Sequence, residues 1–163
     1  WKLRAQTDGL TGISSRQHFE QRAREEFASA QRSGRNLSIV MVDIDDLKAI
    51  NDNFGHQAGD MAIVAVSELL KNNIRTFDLL GRYGGDEFII MLTDADRDGA
   101  ALLIERLCKL TGQPFYAKAA GDFGLSFSCG SSCMRQGDTF DSMVFRADKE
   151  MYENKKSAKG SRP

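Results

Sequence analysis

Apolar positions recur along this chain at two periods. Between residues 14 and 34, Phe19, Ala23 and Phe27 fall four apart, which places them on one face of a helix. Ser14 with Gln17 has the form of a capping box at its start, and Gly34 stops it. The run LSIVMVDID (37–45) is almost continuously apolar, as in a strand buried on both faces. DLKAINDN (46–53) predicts a short helix broken by Gly55, and GDMAIVAVSELLKNNI (59–74) a longer one with Ile63, Val66, Leu69 and Leu70 inward. FDLLGRY (77–83) and EFIIML (87–92) read as strands joined at Gly84-Gly85, a pair that tolerates the positive φ of a two-residue hairpin turn. DRDGAALLIERLCKLTG (96–112) predicts a helix closed by Gly112; PFYAKAA (114–120) and FGLSFSCGSS (123–132) predict strands. The last element, DTFDSMVFRADKEMYENKK (138–156), is an amphipathic helix with Phe140, Val144, Ala147 and Met151 inward.

After the first helix the order is strand, helix, hairpin, helix, strand, helix. That order fits an α+β domain of the ferredoxin-like, split βαβ kind with an additional helix and strands. In such a plan the strand at 37–45 runs antiparallel beside the strand at 86–92. The C-terminal end of the first then meets the N-terminal end of the second, and Asp43 and Asp45 come close to Asp86 and Glu87.

Composition narrows the classes. The 163 residues suit one domain, 41% hydrophobic and 28% charged, with a formal net charge of −1 that attracts neither a nucleic acid polymer nor an anionic membrane. Three cysteines (Cys108, Cys129 and Cys133) are too few and too scattered for a disulfide framework and fit a reducing cytosol. No apolar run reaches the ~20 residues of a membrane span and no signal peptide is visible. The first residues, WKLRAQ, have the character of a helix arriving from an upstream region.

Carboxylates are poor strand residues, so Asp86 and Glu87 at the head of a good strand call for a reason. Gathered with Asp43 and Asp45 they repel one another unless a cation sits among them. Mg²⁺, with its preference for hard oxygen ligands shared with substrate phosphates, fits that need. Neighbouring strand residues face opposite ways, so Asp86 and Glu87 would differ in role: one on metal, the other on a proton or a second ion. Lys48 stands one turn beyond the acidic strand end, where it could steady a phosphate. Asn51 and Asp60 could read a guanine edge, the amide donating and accepting and the carboxylate accepting two N–H bonds. The plainer alternatives are solvated turn carboxylates, a helix-end Asn51 and an N-cap Asp60.

Together, RYGGDEF (82–88) and DIDDLKAINDNFGHQAGD (43–60) at this spacing resemble the diguanylate cyclase, or GGDEF, domain family, and the likeness runs from DGLTG at Asp8 to about Lys159. It implies the nucleotidyl-cyclase-palm βαββαβ core, with the end of a helical linker over 1–7, the domain over 8–160 and a tail over 161–163. It implies condensation of two GTP to cyclic di-GMP with release of pyrophosphate. Asp43, the Ile44 carbonyl and Glu87 would hold Mg²⁺, two ions per site with Mn²⁺ as a substitute, and Asp86 would lie by the attacking 3′-hydroxyl or support the metal. Asn51 and Asp60 would bind guanine, Lys48, Lys155 and Lys159 phosphates, and Gly84 and Gly85 would let the backbone approach the nucleotide. Asp8 would pair with Arg82. RTFD (75–78) resembles the family's RxxD product-inhibition motif, with Arg75 and Asp78 gripping cyclic di-GMP and Arg106 as a further arm. Catalysis would need a two-fold homodimer, driven by an upstream sensor region, in the cytoplasm and without direct membrane contact by this domain. The chain departs from the family pattern at Leu47, often aromatic; at Ser15, usually Asn; and at Ala158-Lys159, usually Gly-Arg, where lysine keeps the charge but loses the bidentate fork.

Two other readings compete. A catalytically silent cyclic di-GMP-binding module would keep Arg75 and Asp78 but has no chemical need for the acidic pair. Asp94, Asp96, Asp98, Gly99 and Glu105 match the D-x-D-x-D-G-x₅-E calcium-loop pattern. There a strand precedes the loop instead of a helix, and a polar turn opening a helix explains the same aspartates. P-loop, zinc and nucleophile-elbow motifs do not occur.

Overall fold

The computed structural model describes residues 6–110, 114–117 and 121–160, with side chains undescribed at 114–117, 121–123 and 159–160. The elements run α1 (Arg16–Ser33), β1 (Leu37–Ile44), α2 (Leu47–Phe54), α3 (His56–Asn73), β2 (Leu79–Arg82), β3 (Glu87–Thr93), α4 (Arg97–Leu110), β4 (Pro114–Ala117), β5 (Gly121–Gly124), β6 (Phe127–Cys133) and α5 (Phe140–Gly160). Four strands form an antiparallel sheet in the order β2-β3-β1-β6. The α+β plan and the antiparallel neighbourhood of β1 and β3 are as the sequence predicts.

The continuous apolar run of β1 is explained by its central place, since every one of its residues is buried. Alternation then divides it. Val40, Val42 and Ile44 enter one core with Ala62 and Val66 of α3 and Leu103 and Leu107 of α4. Leu37, Ile39 and Met41 enter the other with Phe19 and Phe27 of α1 and Phe140, Ala147 and Met151 of α5. Helices therefore cover both faces, and each stripe predicted for α1, α3 and α5 lies against the sheet.

Several boundaries differ from expectation. The α1 N-cap is Ser15, whose hydroxyl accepts from the His18 amide at 3.4 Å, so Ser14 and Gln17 form no capping box. Gly55, at φ 88°, both ends α2 and opens α3. The longer helix starts at His56, and Asp60 lies inside it instead of capping it. The segment 123–132 is no single strand: β5 pairs with β4 in a separate two-stranded sheet, and β6 begins at Phe127. Gly112, the linker residues 1–5 and the tail 161–163 lie outside the described residues.

One close approach fixes the sheet to α5. A Cβ at Gly130 would lie 2.1 Å from the Met151 amide nitrogen and 2.4 Å from the Ala147 carbonyl oxygen, so the helix backbone rests directly on β6. Asn154 donates to the Cys129 carbonyl at 2.9 Å from the next turn of the same helix.

Candidate active site

β1 and β3 bring the acidic residues together by register. Asp43 stands directly opposite Glu87, and the Ile44 amide donates to the Asp86 carbonyl at 2.9 Å. Asp43 and Glu87 continue the series Ile39, Met41 and Ile89, Met91, so both belong to the sheet face that α5 covers. That helix delivers Lys155, which donates to the Asp43 carboxylate. Burial pushes the Asp43 carboxyl above its ordinary range. The Lys155 hydrogen bond opposes the rise, and Asp86 and Asp45 add repulsion. Glu87 is raised as well, by burial first and then by Asp43, Asp86 and Asp148.

Asp45 has a different fate from its neighbours. Its carboxylate accepts from Ser126 at 3.0 Å and Ser128 at 2.8 Å, which draws it to the β6 side, away from β3. Only the paired serines of LSFSCG could have signalled this. Asp43, Glu87 and Asp86 sit at the β1–β3 end of the pocket, and the charge of Asp45 still bears on Asp43 and Lys155 from the β6 side.

Gly84 and Gly85 do not act as expected. Neither has a positive φ, and the turn is longer than two residues: five residues, 83–87, separate the last paired residues, Arg82 and Phe88. The Tyr83 and Gly84 amides both donate to the Glu87 carbonyl, at 2.8 and 3.2 Å. Gly84 leaves room for Glu87: a Cβ there would lie 2.7 Å from Glu87 Oε2 and push that carboxylate aside. The glycine lets the Glu87 carboxylate fold back over the loop.

Arg82 braces that loop from beneath. Its Nη1 donates to both oxygens of Asp8, at 3.1 and 3.2 Å, and its Nη2 donates to the Gly85 carbonyl at 2.7 Å. Burial alone would raise the Asp8 carboxyl, but hydrogen bonds from Thr11 and Arg82 hold it below its ordinary range. The link from Arg82 to Gly85 has no sequence signal beyond the proximity of the two residues.

Lys48 and Asp60 are exposed on α2 and α3. Asn51, half-buried on α2, points into α3 beside Gly59 and so next to Asp60. Lys155 is in the acidic pocket, whereas the side chain of Lys159 lies outside the described residues.

Hard oxygen donors crowded enough to raise one another's pKa fit a divalent cation. Among the described residues no three Asp, Glu, His or Cys side chains converge to hold an ion by themselves. The carboxylates of Asp43 and Glu87 are the hard oxygen donors that the pocket itself offers.

Arg75, Asp78 and Arg106 line a separate cleft of about 290 Å³ with Asn73, Thr93 and Leu102. Asp78 is fixed there: its carboxylate accepts from the Arg75 amide at 2.9 Å and the Thr93 amide at 3.1 Å. Arg106 donates to the Asn73 carbonyl. The Asp94–Asp98 segment instead forms a turn and helix start, in which Asp96 accepts from the Gly99 amide at 3.0 Å and Asp94 pairs with Arg35 at 3.6 Å.

Known proteins agree on where such a chain belongs. The family model described as "Diguanylate cyclase, GGDEF domain" matches residues 5–161. The chain is 31% identical over 159 residues to the diguanylate cyclase DgcP of Pseudomonas aeruginosa, covering 97% of this chain and 24% of that protein. It is 34% identical over 146 residues to the diguanylate cyclase DosC of Escherichia coli, covering 89% and 32%. It therefore spans only about a quarter to a third of these relatives. The crystal structure of the GGDEF domain of DgcB from Caulobacter crescentus in complex with c-di-GMP matches with a TM-score of 0.91 at 26% identity, over 97% of this chain and 92% of that one. The active GGEEF domain of a diguanylate cyclase from Vibrio cholerae gives a TM-score of 0.81 at 30% identity, over 88% and 91%.

Proposed function

This chain belongs to the diguanylate cyclase (GGDEF) domain family, and from that premise we propose that it condenses two GTP to cyclic di-GMP. The observation that carries the reading is Asp43 opposite Glu87 across β1 and β3, with Lys155 reaching the same pocket. A pocket serving only a ligand-binding module has no use for a buried carboxylate and a half-buried one that repel each other.

Each domain would hold one GTP, and the two sites would face each other in a two-fold homodimer. The 3′-oxygen of one nucleotide attacks the α-phosphorus of the other. A P–O bond forms, the α–β bridging bond breaks and pyrophosphate leaves. The reciprocal attack closes the ring, so two GTP give one cyclic di-GMP and two pyrophosphates. Asp86, on the loop beside Glu87, accepts the 3′-hydroxyl proton or supports the metal. Lys48 and Lys155, with Lys159, steady the phosphates. Asn51 and Asp60 select guanine.

Asp43, Glu87 and the Ile44 carbonyl would hold Mg²⁺, or Mn²⁺ in its place. When bound, the ion would neutralise phosphate charge and favour the ionised 3′-oxygen. Lys155 would then exchange Asp43 for phosphate.

Arg75, Asp78 and Arg106 form a second site that binds the product and limits turnover. Arginine forks suit phosphate and guanine edges, and the fixed Asp78 spares the site an ordering cost. The domain limits of 8–160, an upstream sensor region and a cytosolic setting complete the proposal. Among the described residues no helix is long and apolar enough to cross a membrane.

The test is incubation of the purified domain with GTP and Mg²⁺, and identification of the products by chromatography and mass. Cyclic di-GMP with pyrophosphate is expected. Cyclic di-GMP binding without any synthesis would mark a silent binding module.

A further inference from the structure

Gly59 is a glycine in the body of α3, buried, with no positive φ. Glycine inside a helix is destabilising relative to alanine, so an interior glycine without a backbone reason has a packing or functional one. Its neighbour supplies the reason. A Cβ at position 59 would lie 1.8 Å from Asn51 Oδ1, 2.8 Å from Asn51 Cγ and 3.3 Å from Asn51 Nδ2. The Asn51 amide occupies the space that any other residue at 59 would fill.

We infer that Gly59 is the positioning residue for nucleobase selection: its missing side chain is a notch that seats the Asn51 amide against α3, beside Asp60. The inference rests on the reading of Asn51 and Asp60 as the guanine-binding pair. Among the described residues the Asn51 side chain has no hydrogen-bond partner, so packing against Gly59 holds it and its donors and acceptor remain available to a ligand. The next residue, Asp60, is exposed on the same helix. The notch thus seats the amide against α3 one residue from Asp60 along the helix.

The consequences of filling the notch are specific. The clash at 1.8 Å is with the tip of a movable side chain, so the backbone can stay while the amide leaves. Its oxygen must retreat by about 1.2 Å to reach even the 3.0 Å below which Cβ contacts are essentially never found. A displacement of about 1 Å is enough to break a short hydrogen bond to a base and to misplace a bound substrate.

The experiment measures binding of a non-hydrolysable GTP analogue and its ATP counterpart, with Mg²⁺, to wild type, Gly59→Ala, Asn51→Ala and the double variant. Thermal melts accompany each. We expect Gly59→Ala to melt at or above the wild-type temperature, as alanine favours the helix. Its affinity for the GTP analogue should fall about tenfold, the worth of one good hydrogen bond, with a matching fall in preference over the ATP analogue. In the Asn51→Ala background the same substitution should change nothing, because the amide it displaces is gone. Wild-type binding by Gly59→Ala, an unfolded variant, or equal losses in both backgrounds would overturn the notch. If instead Asn51→Ala itself keeps full preference for guanine, the guanine-binding reading fails first.

Discussion

Asp8 and Arg82 are joined across 74 residues by a two-point ion pair, and the same guanidinium holds the Gly85 carbonyl at 2.7 Å. Both side chains are largely shielded, at 23% and 17% exposure, so the pair is not one of the solvated surface bridges worth almost nothing. One side chain thus ties the first turn of the domain to the loop that carries Asp86 and Glu87. Arg82→Met should leave the sheet folded yet free that loop. We expect turnover with GTP and Mg²⁺ to drop by roughly ten- to a hundredfold, since positioning errors near 1 Å have that effect. Amide exchange at Gly84 and Gly85 should accelerate, while protection of the central strand β1 stays as in wild type.

Glu87 gives a prediction in which activity and stability part company. Its folded pKa lies above the ordinary 4.5, by burial and by repulsion from Asp43 and Asp86. An acid whose pKa is raised on folding disfavours the native state once it ionises. The contribution of Glu87 to the stability of the metal-free domain therefore falls as pH rises from about 4.5 through the raised folded value, then stays level. Glu87→Gln removes this contribution. It should be inactive, melt at or above the wild-type temperature at pH 7, and show no stabilisation by Mg²⁺. Melting curves from pH 4 to 8 check the sign, and a less stable Glu87→Gln would contradict it.

What could be read from the residues alone divides along physical lines. Apolar periodicity located both cores, because burial on two faces of a sheet leaves a direct trace in β1, α3 and α5. The meeting of Asp43 with Glu87 followed from strand order alone. Loop geometry was less accessible. Gly84-Gly85 looked like a positive-φ turn, and only the packing of Glu87 against Gly84 gives the actual reason for that glycine. Asp45 belongs to the acidic group by charge, but Ser126 and Ser128, over 80 residues away, fix its carboxylate on the β6 side. Contacts of this kind depend on which side chains a distant strand happens to present, and nothing in the sequence near Asp45 announces them.

The RxxD cleft allows its residues to be told apart. Arg75 is exposed and Arg106 also reaches the rim, whereas Asp78 ties two backbone amides. Arg75→Ala and Arg106→Ala should weaken cyclic di-GMP binding by about tenfold or more each, the loss of a charge-assisted contact, and relieve inhibition with little change in melting temperature. Asp78→Ala should do the same to binding but also cost about 1–2 kcal/mol of stability, as for a lost cap. Calorimetric titration with cyclic di-GMP, beside denaturant melts, separates the two roles. Unchanged binding in all three variants would remove the product site from this cleft.

Gly130 links the core to the chemistry by a route that no acidic motif suggests. Any side chain there meets backbone atoms of α5 at 2.1 and 2.4 Å, and backbone cannot swing aside as a side-chain tip can. Gly130→Ala must lift the helix off β6. Overpacking of this kind costs about 1–3 kcal/mol, and the Asn154 bond to the Cys129 carbonyl would stretch with it. Lys155 follows Asn154 on the same helix, so its hold on Asp43 should loosen too. We therefore expect Gly130→Ala to lower the denaturation midpoint and also to raise the KM for GTP in the fraction that stays folded. The conservative control is Gly124→Ala, where an added Cβ meets nothing within 4 Å. A Gly130→Ala domain with wild-type stability would mean that α5 does not rest on β6 as described, and the delivery of Lys155 to the acidic pocket would lose its structural basis.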